Sequence, residues 1–207
     1  MAREIEAKIK VEDLGVIAKR LEGLGAVNEG DCLERNWVLD YPDGRLAAEG
    51  VLLRVRNLGG VGGVLTVKHR VEGGVFKTRE EVESMVDSTD DVLRQFEILG
   101  YGIRWIYEKF RATWLWHDCV LALDEMPEIG SYVEIEGDPE RIREVAVQLG
   151  LDPASHINDN YLGLWQKHLA ARGEGPRHMV FAPGQARKQK SGRYTTRVRL
   201  NQDRTPT

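Results

Sequence analysis

Glu4-Ile5-Glu6-Ala7-Lys8-Ile9-Lys10-Val11 opens the chain with a charged side chain at every even position and an apolar one at every odd position. A strand sends successive side chains to opposite faces, so this segment has one wholly charged face and one apolar face. In a lone strand the charged face would simply meet water. Here the pattern recurs. Val51–Asn57 sets Arg54 and Arg56 against Val51, Leu53 and Val55, and Leu65–Val71 sets Thr66, Lys68 and Arg70 against Leu65, Val67 and Val71. Phe76–Ser84 carries Lys77, Arg79, Glu81 and Glu83 in one register. Ile106–Trp114 carries Tyr107, Lys109, Arg111 and Thr113, Val120–Asp124 ends on Asp124, and Ser131–Gly137 carries Tyr132, Glu134 and Glu136. Arg35–Asp40 is a further, less regular strand. Turn signals separate these runs at Tyr41-Pro42-Asp43-Gly44, Gly59–Gly63 and Glu72-Gly73-Gly74, giving about eight strands.

Four helices fall between or after them. Glu12–Leu24 repeats Leu14, Ile17, Leu21 and Leu24 and stops at Gly25. Thr89–Leu99 follows a Ser88/Thr89 cap, and Pro139–Leu149 follows Asp138 with Pro at the first helical position. Asn158–Leu169 is the last. Their apolar stripes need a surface, and the apolar strand faces supply it. The charged faces must then point inward, which predicts an α+β chain: a closed eight-stranded antiparallel β-barrel with a polar interior and helices packed outside. That interior gathers ten bases (Lys8, Lys10, Arg54, Arg56, Lys68, Arg70, Lys77, Arg79, Lys109 and Arg111) and seven acids (Glu4, Glu6, Glu81, Glu83, Asp124, Glu134 and Glu136). Ten bases repel unless something anionic sits among them, and a polyphosphate fits their number. Carboxylates on the same face suit a divalent metal that bridges carboxylate and phosphate oxygens. A pure anion binder needs the bases but not seven acids, which favours an enzyme over a non-catalytic polyphosphate- or nucleotide-binding module.

The ordered set Glu4-x-Glu6-x-Lys8, Leu53-Arg54-Val55-Arg56, Leu65-Thr66-Val67-Lys68, Arg79 with Glu81 and Glu83, Lys109-Phe110-Arg111, Leu123-Asp124 and Glu134-Ile135-Glu136 resembles the signature of the CYTH superfamily, the triphosphate tunnel metalloenzymes. Asn160-Tyr161-Leu162 sits where that family has its terminal helix motif. The resemblance implies a tunnel that binds a triphosphate with Mg²⁺ or Mn²⁺, and either triphosphate hydrolysis (inorganic tripolyphosphate, thiamine triphosphate or a nucleotide) or the class IV adenylate cyclase conversion of ATP to cyclic AMP and pyrophosphate. By position, Glu4, Glu6, Glu81, Glu83, Asp124, Glu134 and Glu136 resemble the metal ligands. Lys8, Arg54, Arg56, Lys68, Arg79, Lys109 and Arg111 resemble the phosphate clamps, with Lys8 nearest the reacting phosphoryl group and so the expected catalytic residue. A homodimer is a further expectation from the family.

The remaining features exclude more than they assign. The chain has 207 residues, 42% hydrophobic and 30% charged, an ordinary globular composition. The longest apolar runs, such as Val120–Leu123, are far short of a membrane span, and the start lacks a signal-peptide core, so a cytoplasmic protein is expected. Cys32 and Cys119 make neither a disulfide framework nor a zinc quartet, and the five His have no ligand spacing. The glycines at 59–63 lack the Gly-Lys-Ser/Thr of a P-loop. The net charge of -4 hides a division: residues 172–207 hold nine bases and two acids, a balance of +7, so residues 1–171 carry -11. The expected organisation is a triphosphate-binding domain over 1–170 and a basic, disordered tail over 171–207 that touches nucleic acid weakly at most. The five Trp are expected in the core and at the rim rather than as a base-stacking platform, although Trp37 near the tunnel mouth could stack on a base.

Overall fold

The computed structural model describes residues 2–60, 62–71 and 77–183. The expected strand start at Phe76, the turn at 72–74 and the tail from 184 onward lie outside these residues, as does part of the 59–63 loop.

Eight antiparallel strands form one closed ring: β1 (Ala2–Val11), β2 (Val27–Asp40), β3 (Val51–Asn57), β4 (Gly63–Val71), β5 (Lys77–Val86), β6 (Gly102–Trp116), β7 (Cys119–Met126) and β8 (Gly130–Glu136). Their order around the ring is β1-β5-β4-β3-β2-β6-β7-β8. Closure falls to β1, which pairs Glu4 with Arg79 of β5 on one side and Lys8 with Glu134 of β8 on the other. β2 is longer than the sequence pattern predicts, because Gly30 at a φ of 121° and a register shift between Asn28 and Gly30 interrupt its alternation.

Helices cover part of the outside. α1 (Leu14–Gly23) is capped by Asp13 and α4 (Pro139–Gln148) by Asp138. Ile17 and Leu21 of α1 and Ile142, Val145 and Ala146 of α4 bury against Ile9, Leu121, Val133 and Ile135. These are the odd, apolar positions of β1, β7 and β8, so the outward face packs as the alternation requires. A short α2 (Arg45–Ala48), absent from the sequence reading, is held by the Asp40 carboxylate, which accepts from Leu46 N and Ala47 N. α3 (Thr89–Ile98) sets Val92, Leu93 and Phe96 against Leu53 and Val55. Trp37 packs in this outer cluster, as the core-and-rim reading has it, and not at the tunnel mouth: the inward positions of β2 are Glu34, Asn36 and Val38.

α5 (Tyr161–Ala171) packs Tyr161, Trp165 and Leu169 with Trp105, Tyr107 and Tyr132 at one end of the ring. Residues 172–183, which composition assigned to the tail, run back along β6. Met179 is fully buried, its N–H donates to Ile106 O at 3.0 Å, and its carbonyl accepts from Glu108 N at 2.9 Å. Trp165 Nε1 donates to Arg177 O at 2.8 Å. β7 pairs with β6 only from Phe110 onward, so this segment covers the edge that β7 leaves open. Among the described residues no helix is long and apolar enough to cross a membrane.

Candidate functional site

The interior of the ring holds a cavity of about 210 Å³. Its wall includes seven bases, Lys8, Arg54, Arg56, Lys68, Arg79, Lys109 and Arg111, and six acids, Glu4, Glu6, Glu81, Glu83, Glu134 and Glu136. The structure thus brings together thirteen of the fourteen site residues predicted from alternation and resemblance. Each comes from a strand position whose neighbours face the outside of the ring, which is why the register fixes the chemistry. Of the other interior candidates, Lys10 and Arg70 are exposed, and the side chain of Lys77 lies outside the description.

The fourteenth, Asp124, is fully buried behind the wall. Its carboxylate accepts from Lys109 Nζ at 3.2 Å, Arg111 Nε at 2.7 Å, Arg111 Nη2 at 2.6 Å and the Tyr161 hydroxyl at 2.8 Å. Burial, then Asp124 and Glu134, hold the Tyr161 hydroxyl well above its ordinary pKa, so it stays a donor. The Tyr161 ring lies between two ammonium groups, Lys8 Nζ at 4.1 Å and Lys109 Nζ at 5.6 Å from its centroid. Lys8 Nζ also donates to Asp159 O at 3.1 Å and lies 3.3 Å from Glu134 Oε1.

Across the cavity, Lys68 Nζ donates to Glu4 Oε2 at 2.7 Å and lies 3.0 Å from Glu81 Oε1. One ammonium therefore serves two carboxylates. Burial opposes its charge, but Glu4 and Glu81 outweigh burial and raise the Lys68 pKa. Glu81 fares differently: burial, resisted by Lys68 but reinforced by Glu4 and Glu83, pushes its carboxyl up to about 7. Glu83 accepts from Thr66 Oγ1 at 2.8 Å and faces Arg54 Nη2 at 3.6 Å. Despite burial, Arg56 and Arg54 keep its pKa low. Arg54 donates in turn to Tyr107 Oη at 3.2 Å.

Among the described residues no group of three or more His, Cys, Asp or Glu stands ready to hold a metal ion; Glu4, Glu81, Glu83 and Glu134 are turned to Lys and Arg. The donor set nonetheless fits a hard divalent cation. It is all carboxylate oxygen, and the crowding of Glu4 and Glu81 about one lysine, with Glu83 nearby, leaves negative charge that a cation would neutralise.

Two features escape the sequence reading. Glu34 of β2 is fully buried beside Arg56, Lys109 and Arg111, because its strand neighbour Arg35 is also charged and masks the alternation. A second cavity of about 570 Å³ shares Val38, Leu52, Arg79, Trp105, Asn160 and Leu162 with the first, and extends to Trp165, Leu169 and Pro176. Alternate residues of β6 thus grade the interior from Trp105 and Tyr107 to Lys109 and Arg111, at ~6.7 Å per pair. Trp105 Nε1 is buried without a hydrogen-bond partner.

The CYTH domain profile matches residues 2–161, all eight strands and the loop into α5. The chain belongs to the CYTH domain family. Solved structures carry the same CYTH-type fold. A candidate adenylate cyclase from Vibrio parahaemolyticus superposes with a TM-score of 0.69 at 18% identity, over 79% of this chain and 97% of its own. A protein from Pyrococcus horikoshii OT3 gives 0.67 at 25% identity, over 78% and 98%. A Hippeastrum adenylyl cyclase candidate with dominant triphosphatase activity gives 0.60 at 18% identity, over 85% and 98%. No match was found among curated proteins.

Proposed function

We propose that this CYTH protein is a metal-dependent enzyme that hydrolyses a triphosphate bound inside the ring. The observation that carries the reading is the wall of seven bases and six carboxylates around one cavity. The bases suit the oxygens of a polyphosphate, and the acids suit the cation that accompanies it. Arg54, Arg56, Lys68, Arg79, Lys109 and Arg111 clamp the phosphate chain. Glu4, Glu6, Glu134 and Glu136 would hold Mg²⁺ or Mn²⁺, with Glu81 or Glu83 beside them. The bound cation would neutralise phosphate charge and acidify a water. Lys8, steered by Asp159 O and Glu134, directs its charge at the phosphoryl group under attack. Water adds to phosphorus, the bond to the bridging oxygen breaks, and the shortened chain leaves.

The mouth cavity favours a substrate with an organic end over inorganic tripolyphosphate. Its wall is largely apolar, with Arg79, Arg104, Arg177 and His178 also lining it, and the Trp105 face suits a heteroaromatic ring. Incubation with tripolyphosphate, thiamine triphosphate and ATP, each with Mg²⁺ or Mn²⁺, tests both statements. Release of phosphate, faster from the organic substrates, is the expected result. Pyrophosphate with cyclic AMP would make the protein a cyclase, and tight binding with no turnover would make it a binding module. Glu6→Gln and Glu134→Gln are each expected to lower metal-dependent turnover at least ~100-fold while the circular dichroism spectrum is kept.

A further inference from the structure

We propose that Glu34 is a built-in counter-anion: it holds Arg56, Lys109 and Arg111 together when the cavity is empty of phosphate, and competes with a bound polyphosphate for their charge. The inference rests on the reading of the cavity as a polyphosphate site. Glu34 sits on β2 between the two strands that carry the bases, paired in register with Lys109 of β6 and two residues before Asn36, the partner of Arg56 on β3. Its oxygens lie 3.6 Å from Arg56 Nη1, 3.5 Å from Lys109 Nζ and 4.0 Å from Arg111 Nε. Neither oxygen has a hydrogen-bond partner, although the side chain is fully buried.

Asp124 shows the contrast. It binds the same Lys109 and Arg111 through short hydrogen bonds and ties them structurally. Glu34 offers them charge alone, at distances where N–H groups remain available to another acceptor. A buried carboxylate without hydrogen bonds is costly, but of these three cations Asp124 and Glu134 answer only Lys109 and Arg111, and the clustered bases still carry excess positive charge about Arg56 that Glu34 offsets. The arrangement suits a site whose anion comes and goes. Glu34 is fully buried behind the bases that line the cavity and acts through them; it is a positioning residue.

The test is the thermal shift produced by sodium tripolyphosphate, without divalent metal, in wild type, Glu34→Gln and Glu34→Asp. Glu34→Gln should melt lower than wild type without the anion and show a larger shift with it. Titration calorimetry should give roughly tenfold tighter tripolyphosphate binding, since one opposing charge has gone. Glu34→Asp, which keeps the charge, should return affinity towards wild type. If Glu34→Gln does not fold alone, folding rescued by tripolyphosphate supports the proposal, and failure in both conditions overturns it. With turnover, KM and kcat should fall together in Glu34→Gln, as product phosphate is held longer. Equal shifts in wild type and Glu34→Gln would overturn the role of Glu34 alone. No shift in wild type would overturn the polyphosphate reading, and this inference with it.

Discussion

Asp124 and Glu34 show how a carboxylate's neighbours decide its part. Asp124 accepts from two bases and a tyrosine with no exposure, so removing its charge strands Lys109 and Arg111. Asp124→Asn is expected to destabilise the fold by about 3–5 kcal/mol in urea unfolding, whatever it does to activity. Glu34 yields a pH prediction. Burial favours its neutral form, but Arg56, Lys109, Arg111 and Arg54, from the two strands flanking it, hold its pKa well below the carboxylate range. A depressed folded pKa means that the stabilisation is present above about pH 4.5 and is lost as the pH falls further. The difference in melting temperature between wild type and Glu34→Gln should therefore shrink on acidification below that value. Asp124 was legible from the Leu123-Asp124 match to the family signature, since its strand is an apolar run followed by two acids. Glu34 was not, because Glu34 and Arg35 put charge on both faces of β2, and nothing in the order of residues tells which one is buried.

At the scale of the elements, the register carries the site and the turns carry the register. His117 and Asp118 join β6 to β7 with φ of 48° and 59°, the two-residue hairpin geometry that favours Asn-Gly. Asp118→Gly should raise the melting temperature, reflecting relief of about 1 kcal/mol. Gly63 is the opposite case. A Cβ there would meet Arg56 O at 2.0 Å and Thr89 Cγ2 at 2.6 Å, so β3 approaches too closely for any side chain. Gly63→Ala should cost about 1–3 kcal/mol and, by moving the strand that holds Arg56, weaken tripolyphosphate binding in calorimetry. Helix positions were legible to within about three residues because caps and apolar stripes agree. The aromatic end of β6 was not, since Trp105 lies just before the run whose alternation marks the strand.

The whole molecule is more than the ring. The segment from Arg172 to Pro183 reads as solvated, with Gly, Pro and charge and no period; the apolar stretch Met179-Val180-Phe181-Ala182 is too short to mark an element. Yet Met179 seals the open edge of β6, and Arg177 joins Glu128, Glu174 and the Trp165 ring. Compared with a chain ended at Pro183, one ended at Arg172 should melt several degrees lower and aggregate more readily, as light scattering would record. Ring closure by β1 also bears on how the protein comes to exist. Glu6 finds its partners 71 and 130 residues further along, at Lys77 of β5 and Glu136 of β8. The first strand made must wait for nearly the last. Such non-local pairing puts refolding in the range of milliseconds to seconds, which tryptophan fluorescence can follow. Until β8 arrives, the clustered bases stand open to water and to any polyanion nearby, so the solutes present during synthesis bear on the yield of native protein.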